Sequence, residues 1–439
     1  MSSYSPNQSI GLLLVLLCCV LPQTITAAEN GEPDFTIAKL QNSLLDHYNL
    51  ELAGFIEART GFRLQNDPYE KDASLAEARL QLDLARDLGW GLAKVKADLG
   101  HDLVTDEMIA ELREMNLSFS PLDNADVKVG RQVLTWGTGD LLFINDLFPK
   151  DWESFFSGRD DEYLKAPSDA VKTSFFFEAA NLDLVYVPEF NNSNYIDGSR
   201  ISYWNNVLGR TAGRDYVFAD EERNRVFSDC ELAARLYKNI DGMEAALYGY
   251  YGFWKTPEGL DPGSMRLIYP RLAAYGASLR GTLLGGIGNL EAGYYDSLDD
   301  QGGDNALIRN SEFRFLAGYE RELADNLTGG FQYYLEVITN YDEYRAALTP
   351  GTPQADEYRH LLTMRLTKLM LNQNLRLSLF AYYSPSDKDT YLRPKAHYKV
   401  SDHWAIEAGG NLFAGSDDHT FFGQFDRNTN IYAGARYNF

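Results

Sequence analysis

The run VKVGRQVLTWGTGDLLFINDLFPKDW (Val127–Trp152) contains the residues of this chain whose types and spacing most resemble a reactive site. Two glycines, Gly137 and Gly139, end a strand-like stretch, and backbone N–H groups in a glycine-rich turn can hold a phosphate. No Gly-Lys-Ser/Thr sequence follows them and no apolar helix begins there, which argues against a nucleotide site. We expect the glycines to permit a tight backbone path where a strand ends.

Acidic residues follow the glycines, and clustered carboxylates are ligands that Ca²⁺ prefers. The run lacks EF-hand spacing, so a solvated loop is the favoured interpretation of these acids, which are Asp140, Asp146, Asp151, Glu153, Asp160, Asp161 and Glu162. The six histidines are scattered, with no HExxH motif and no Cys/His ligand pair. We therefore predict no metal, no cofactor and no catalytic residue, and we do not expect an enzyme.

The elements that must position this run belong to an exported chain. Ile10–Leu21 is an apolar core too short to span a bilayer as a helix, and the sequence PQTITAA after it offers a cleavage site following Ala28. Residues 1–28 are therefore predicted to be a signal peptide. Without them Cys230 is the only cysteine, so an internal disulfide cannot form.

Composition restricts the class of protein further. The net charge of -23 argues against nucleic acid and against an anionic membrane surface as partners. Aromatic residues make up 13% of the chain, and no run of 18 apolar residues follows the predicted signal peptide. These features leave two classes, a large periplasmic β protein and an outer-membrane β-barrel.

Alternation with period two dominates the chain after about residue 49. In AEARLQLDL (Ala76–Leu84) one face carries alanine and leucine, and the other carries glutamate, arginine, glutamine and aspartate. EFRFLAGYE and LRLSLFA repeat the pattern. Such alternation predicts strands that place one face on an apolar and one on a polar environment.

The connections between these strands separate a barrel from a soluble sandwich. Short polar or glycine turns such as NIDG and LADN alternate with longer connections, for example near 100–111, 137–169 and 190–225. We predict an all-β fold, a transmembrane antiparallel β-barrel of about eighteen strands over residues 49–439, with sixteen strands as the alternative. Short turns would face the periplasm, long loops would be extracellular, and residues 29–48 would form a short periplasmic segment.

Charged residues on the polar face of each strand are predicted to line the lumen, because a charge that faces lipid at mid-depth costs about 2–4 kcal/mol. The basic members are Arg79, Lys94, Lys96, Lys128, Arg131, Arg235, Arg314, Arg365, Arg376, Arg393 and Lys395. The acidic members are Glu77, Asp98, Glu312 and Glu336. Both signs are interleaved and can pair across strands, so the sequence does not assign an ion selectivity.

Two motifs resemble known outer-membrane barrels. VGRQVLTWGTGD followed by INDLFPKDW resembles the Gly-Arg-Gln…Trp-Gly strand of Gram-negative alginate-export barrels and related uncharacterised porin-like families. That resemblance implies passage of solutes or export of a polymer, and an extracellular segment after the strand that can fold inward. Phe439, which ends the alternating run NIYAGARYNF, resembles the recognition signal of the outer-membrane assembly machinery.

Apolar residues after Gly139 favour an inward fold of this segment, since a solvated loop would not carry so many of them. Inside a wide barrel, the surface available to them is the inner wall. We predict a constriction loop whose residues include Asp140, Phe143, Asp146, Phe148, Asp151 and Trp152.

These expectations combine into one function. We predict a porin-like channel in a Gram-negative outer membrane, surrounded by lipid and lipopolysaccharide, for passive diffusion or export of polar or charged solutes. The loop after Gly137 would narrow its lumen. The alternative is a barrel that serves as a sleeve or anchor for a periplasmic or surface partner, such as a polymer-secretion or electron-transfer assembly.

Overall fold

The computed structural model describes residues 37–439. The predicted signal peptide lies outside the described residues. In the described part of the chain, eighteen long strands form one closed antiparallel β-barrel. The strands are β1 (Leu50–Arg63), β2 (Ala73–Asp87), β3 (Gly91–Asp102), β4 (Glu107–Leu122), β5 (Ala125–Val133), β6 (Pro167–Phe176), β7 (Asn181–Val187), β8 (Glu231–Ile240), β9 (Met243–Phe253), β10 (Arg271–Leu283), β11 (Gly286–Ser297), β12 (Glu312–Ala324), β13 (Leu327–Ile338), β14 (Tyr358–Met370), β15 (Leu375–Ser384), β16 (Asp389–Lys399), β17 (Trp404–Gly415) and β18 (Asn430–Asn438).

Helices are few and short. They are α1 (Ile37–Tyr48), α2 (Trp152–Ser157) and α3 (Tyr341–Ala347), with 3-10 turns at Asp161–Leu164 and Gly423–Asn428. Two small hairpins in the loops pair Tyr203–Asn205 with Arg210–Ala212 and Gly259–Asp261 with Arg266–Ile268. Helix α1 falls within residues 29–48 and is tied to β1, where Gln41 Nε2 donates to the Leu52 carbonyl at 3.0 Å. Among residues 37–439, no helix is long and apolar enough to cross a membrane.

Each barrel strand pairs with its sequence neighbours, and β1 closes the sheet against β18 with Ile56 opposite Tyr437. The chain end completes this closure, because Phe439 exchanges two backbone hydrogen bonds with Gly54 at 3.0 and 3.1 Å. Closing the sheet leaves no unpaired strand edge, which is the condition for a sheet to stand in lipid. The role of Phe439 in assembly stays a prediction.

Side chains alternate between the two faces of the sheet, and the polar ones are the buried ones. On β1, Glu57 and Arg59 are buried inside the barrel, whereas Ile56 is 51% exposed on the outside. The same arrangement recurs around the wall, where the exposed outward residues include Phe62, Met115, Val129, Leu184, Leu232, Leu247, Tyr275, Leu290, Phe313, Phe331, Met364, Leu377, Ile406 and Ile431. An apolar outside around a charged inside is the reverse of a soluble protein and suits a lipid surround.

Connections sort between the two ends of the barrel. At the turn end, which also holds α1 and Phe439, strands are joined by two to four residues. Asp241 and Gly242, both with positive φ (51° and 81°), make the kind of two-residue hairpin turn that matches strand twist. At the loop end, the connections include 64–72, 134–166, 188–230, 254–270, 298–311, 339–357 and 416–429.

One predicted long loop is a tight turn. The irregular connection expected near 100–111 is only residues 103–106, because β3 runs on to Asp102 and β4 begins at Glu107. Asp102 stands opposite Glu107 in the ladder. The polar residues that suggested a loop are strand residues at the rim of the barrel.

Candidate functional site in the barrel interior

Residues 134–166, here called the inward segment, connect β5 to β6 and fold into the barrel. Its apolar residues join inward-facing aromatic and aliphatic wall residues in one buried cluster, which includes Leu134, Ile144, Phe148, Phe155, Phe156, Leu164, Leu316, Tyr334, Tyr382, Tyr391 and Phe413. The wall members of this cluster come from β6 to β17. The segment therefore packs on the inner wall, and its polar groups are held there by four sets of contacts.

The first contact surrounds the carboxylate of Glu291 on β11, which is 2% exposed. Its Oε2 accepts from the backbone N–H groups of Thr138 (2.8 Å) and Gly139 (3.1 Å) and from the Thr138 hydroxyl (3.0 Å). Its Oε1 accepts from Asn145, through the backbone N–H (2.7 Å) and Nδ2 (3.0 Å). Gly137 has a φ of 81° and its α-carbon faces the same carboxylate. The glycine turn does hold an anion, and the anion is a side chain of the barrel.

The second contact fixes Asp140 between β13 and β14. Gln332 accepts from the Asp140 N–H at 2.8 Å and donates to its carbonyl at 2.9 Å. Arg365, one of the predicted lumen residues, donates from Nη2 to the Asp140 carboxylate at 2.6 Å. The guanidinium of Arg365 also lies 4.8 Å from the centre of the Phe380 ring. A basic wall group is thereby neutralised by an acid of the inward segment.

The third contact also neutralises basic wall groups, and it lies near the end of the inward segment that leads into β6. Asp161 accepts from Arg393 at 2.8 Å and from Lys395 at 2.9 Å, both on β16. Burial opposes ionisation of Asp161, but these two cations hold its pKa below its usual range. Asp160 adds a contact of 3.2 Å with Arg436 on β18.

The fourth contact is a buried ionic cluster near β1–β3. Arg159 donates to Glu77 (2.9 Å) and to Asp102 (3.0 Å), and Asp102 also binds Arg200 from the loop 188–230. The predicted lumen residues Arg79 and Asp98 join it, 2.8 Å apart and almost fully buried. Tyr163 of the inward segment lies between the guanidinium groups of Arg79 and Arg113, at 4.3 and 4.5 Å from its ring centre.

The residues predicted to form the constriction have mostly structural contacts within the segment. Asp146 binds Lys150 at 2.9 Å and Thr135 at 2.8 Å. Asp151 caps α2 by accepting from Ser154 N–H at 2.8 Å. Phe143 and Trp152 pack edge to face, 5.9 Å between ring centres, and Phe148 is buried. Among residues 37–439, no group of three or more His, Cys, Asp or Glu side chains could hold a metal.

Other predicted lumen residues lie on the wall away from these contacts. Opposite charges there form pairs at 2.6 to 3.6 Å, namely Lys94–Glu114, Lys96–Asp83, Lys128–Glu114 and Arg235–Glu244. Arg376 is exposed at the turn end, on the same strand face as Ser378 and Phe380. Arg131 departs from the prediction, because it stands opposite the outward-facing Met115 and pairs with Asp169 at 3.5 Å. The residue after Gly130 therefore faces away from the lumen.

Arg314 and Glu336 line a cavity of about 600 Å³ on the loop-end side of the inward segment, and Glu312 lies behind the lining, where it pairs with Arg314. Leu142, Phe143 and Trp152 border it from below. Residues of the loops 188–230, 254–270, 298–311 and 416–429 surround its upper part, including Tyr195, Lys255, Glu258, Arg309, Phe421 and Phe425. A molecule that enters the barrel from the loop end therefore reaches this loop-end cavity before it reaches the inward segment.

Alternation alone did not identify several residues that hold the interior together. Glu291, Gln332, Arg159 and Arg200 bind partners more than 40 positions away in sequence. A periodic pattern reports which face a side chain occupies, but it carries no information about the loop that reaches that face. The one available signal was that a polar residue on an inward face requires a partner when a loop covers it.

A closed barrel of eighteen strands, apolar outside and charged inside, is the architecture of outer-membrane porins. Among solved structures with this fold are OccAB4 and OccAB3 of Acinetobacter baumannii and OccK11 (OpdR) of Pseudomonas aeruginosa. Their identities to this chain are 10%, 11% and 12%, and their TM-scores are 0.54, 0.52 and 0.52. The matches cover 89%, 89% and 88% of this chain and 98%, 99% and 95% of theirs.

No protein-family model matches the chain, and no curated protein matches it in sequence. The likeness to solved structures therefore shows the fold and not a family. The resemblance to the alginate-export type stays a prediction.

Proposed function

We propose that this chain is a channel of a Gram-negative outer membrane, through which polar or charged solutes pass by diffusion or export without a chemical step. The observation that carries the proposal is the inward segment, whose carboxylates are bound by basic wall residues while its apolar side chains pack on the wall. Such a segment reduces the cross-section of the lumen and leaves part of the lumen open. The turn end would face the periplasm and the loop end the exterior.

Several features of the wall support a water-filled path. The outward face offers apolar residues to lipid, and lipopolysaccharide would meet the loop end. On the turn-end side of the inward segment, charged groups keep contact with solvent, for example Asp161 (44% exposed), Lys128 (32%) and Arg365 (31%). A solute would therefore pass between fixed charges of both signs, and pore radius and local charge would set its selectivity.

The test is the ion current of the purified mature protein in a planar bilayer. We expect a steady conductance that grows when residues 140–165 are deleted. Because the deletion can disturb folding, a second variant keeps the segment: Cys230→Ser with Asp161→Cys, labelled with a bulky thiol reagent, should lose conductance. Cys230→Ser with Glu343→Cys, in the exposed helix α3, is the matched control and should not change on labelling.

A sealed barrel that carries no current and co-purifies with a periplasmic protein would contradict the channel and favour the sleeve or anchor. Labelling at position 161 that leaves the current unchanged would contradict the narrowing by the inward segment. Sedimentation with outer membranes and a need for detergent would test the proposed location independently of transport.

A further inference from the structure

The loop-end cavity has a polar wall in which the sign of the charge alternates. Arg314 on β12, Glu336 on β13 and Arg359 on β14 stand directly opposite one another in the ladder. Arg309 and Glu258, 3.1 Å apart, extend this wall from the loops and remain 30% and 23% exposed. Donors and acceptors therefore lie side by side along one face of the cavity.

The cations of the cavity are matched by carboxylates. The pairs are Lys150–Asp146 (2.9 Å), Lys255–Glu231 (2.5 Å), Arg309–Glu258 (3.1 Å), Arg314–Glu336 (3.8 Å) and Arg359–Asp387 (2.6 Å). Glu312 is a further acid beside Arg309 and Arg314. An anionic solute would have to displace the carboxylate that already binds each basic group, and three of these acids, Asp146, Glu258 and Glu336, are themselves on the cavity lining. A neutral solute that both donates and accepts hydrogen bonds can use both kinds of group.

The other wall is aromatic and apolar. Phe143 and Trp152 of the inward segment are half-buried, Phe421 is 45% exposed, and Ile196 lies among them. The rings of Phe421 and Phe422 are 4.8 Å apart and edge to face, which keeps Phe421 in place. Flat apolar faces of this kind pack against the C–H faces of sugar rings, whose hydroxyl groups point outward to the polar wall.

We propose that the loop-end cavity binds neutral polyhydroxylated solutes, of the size of small saccharides, before they reach the inward segment. The inference rests on the proposed channel function and names its solute class. A volume of about 600 Å³ lies within the range of about 300–1,000 Å³ that small-molecule sites occupy. Basic groups already paired with acids on one wall and exposed aromatic carbon on the other together distinguish such a solute from an ion or a lipid.

The experiment measures binding and current separately on the full mature protein. Binding is followed by the intrinsic fluorescence of Trp152 and Trp254, which both line the cavity, with sucrose, raffinose, D-glucuronate and benzoate as probes. We expect saturable changes with the two neutral sugars at lower concentrations than with the two anions. In planar bilayers, the same sugars should reduce the ion current over the same concentration range.

Two variants test the two walls. Glu258→Gln removes a charged acceptor, so raffinose should bind about tenfold more weakly, as loss of a charge-assisted hydrogen bond implies, while D-glucuronate should bind more tightly. Phe421→Ala should weaken raffinose binding by removing a stacking face. The matched controls are Glu343→Gln, in an exposed loop helix, and Phe313→Ala, on the lipid-facing side of β12; neither should change sugar binding.

The outcomes separate the two proposals. A steady ion current with no saturable response to sucrose or raffinose, or with tighter binding of benzoate, overturns the sugar site and leaves the channel. Saturable sugar binding by a barrel that carries no current supports the site and overturns the channel. An equal loss of sugar binding in Glu258→Gln and Glu343→Gln would also overturn the assignment of the site to this cavity.

Discussion

Replacing Glu291 by glutamine should release the first half of the inward segment while leaving the barrel closed. The carboxylate accepts five hydrogen bonds from Thr138, Gly139 and Asn145, and it is the wall group that holds the glycine turn. Glutamine keeps the length and shape of glutamate, but its amide has one acceptor oxygen and an NH₂ group that only donates. In either orientation of the amide, its NH₂ group faces N–H donors of the inward segment and cannot accept from them.

The cost can be worked out from those contacts. If the NH₂ group replaces Oε2, the backbone N–H groups of Thr138 and Gly139 lose their acceptor. If it replaces Oε1, the backbone N–H of Asn145 loses its acceptor, while Nδ2 keeps the carbonyl oxygens of Ala277 (3.4 Å) and Ala292 (3.3 Å). The first orientation leaves two donors without an acceptor and the second leaves one, at a cost of about 1–3 kcal/mol for each donor. Thr138 is partly exposed, so water recovers some of this and the lower end applies. Since about 1.4 kcal/mol is a factor of ten, a cost of about 1 kcal/mol or more should raise the released population about fivefold or more.

Single-channel recording and amide hydrogen exchange can measure this release. We expect larger current fluctuations in Glu291→Gln and faster exchange at residues 138–145, with unchanged exchange in β1–β4. Glu343→Gln is the matched control, because this exposed carboxylate lies on α3 in the loop 339–357, outside the set of contacts that hold the inward segment. Equal noise and equal exchange at residues 138–145 in wild type and Glu291→Gln would refute the idea that this carboxylate anchors the segment.

Three further predictions follow from other contacts. Asp161→Asn should free Arg393 and Lys395 from their acid, so the reversal potential in a KCl gradient should move toward anion preference, whereas Asp356→Asn in an exposed loop should leave it unchanged. Gly158→Ala should lower the midpoint of urea unfolding by more than Gly351→Ala, because both glycines have positive φ (96° and 93°) but only the Cβ at position 158 would overlap a neighbour, the ring of Tyr432. Burial raises the pKa of Glu70 from 4.5 to about 7, against the opposing effect of Arg63 and Arg214. The folded state therefore binds a proton on Glu70 more tightly than the unfolded state does. The stabilisation from this proton is greatest below about pH 4.5 and is lost as the pH rises toward and past 7. Glu70→Gln should remove this contribution from the pH dependence of the melting temperature.

The barrel could be predicted because its signal is local and repeated. Alternation in runs such as AEARLQLDL depends only on which neighbours are two residues apart, and the sheet obeys it on eighteen strands. The same rule explains the two departures. Residues 103–106 looked like the middle of a longer loop because rim residues such as Asp102 and Glu107 are polar on both faces. Arg131 comes three residues after the inward-facing Lys128, so strict alternation places it on the outer face, opposite Met115, whereas the prediction had assigned both basic residues to the lumen.

The interior could be predicted only in outline, since its contacts join residues far apart in the chain. The apolar content after Gly139 indicated that this segment packs against a wall, and the acids of the segment suggested a solvated loop or a metal site. In the structure each of those acids has an assigned partner, for instance Asp140 with Arg365 and Asp161 with Lys395. Sequence spacing within the segment could not show these two pairs, because their partners are contributed by β14 and β16.

The glycine turn therefore binds an anion, as such turns can, but the anion is a side chain of the protein and not a phosphate. Backbone N–H groups at Thr138 and Gly139 do converge on an anion, but the anion is Glu291 of the wall. Three of the basic side chains expected to attract solutes are bound by acids of the inward segment, namely Arg365, Arg393 and Lys395. The inward segment places its carboxylates against basic wall residues and its N–H donors against the wall carboxylate Glu291. The wall charges that the segment covers are therefore compensated by groups of the segment. Elsewhere on the wall, the proposed path for solutes passes charges that are paired with one another, such as Lys94–Glu114 and Arg235–Glu244. We therefore expect the selectivity of the channel to depend more on the arrangement of hydrogen-bond donors and acceptors in the loop-end cavity than on net charge. Substitutions that remove one member of an ion pair between the inward segment and the wall should change this selectivity most.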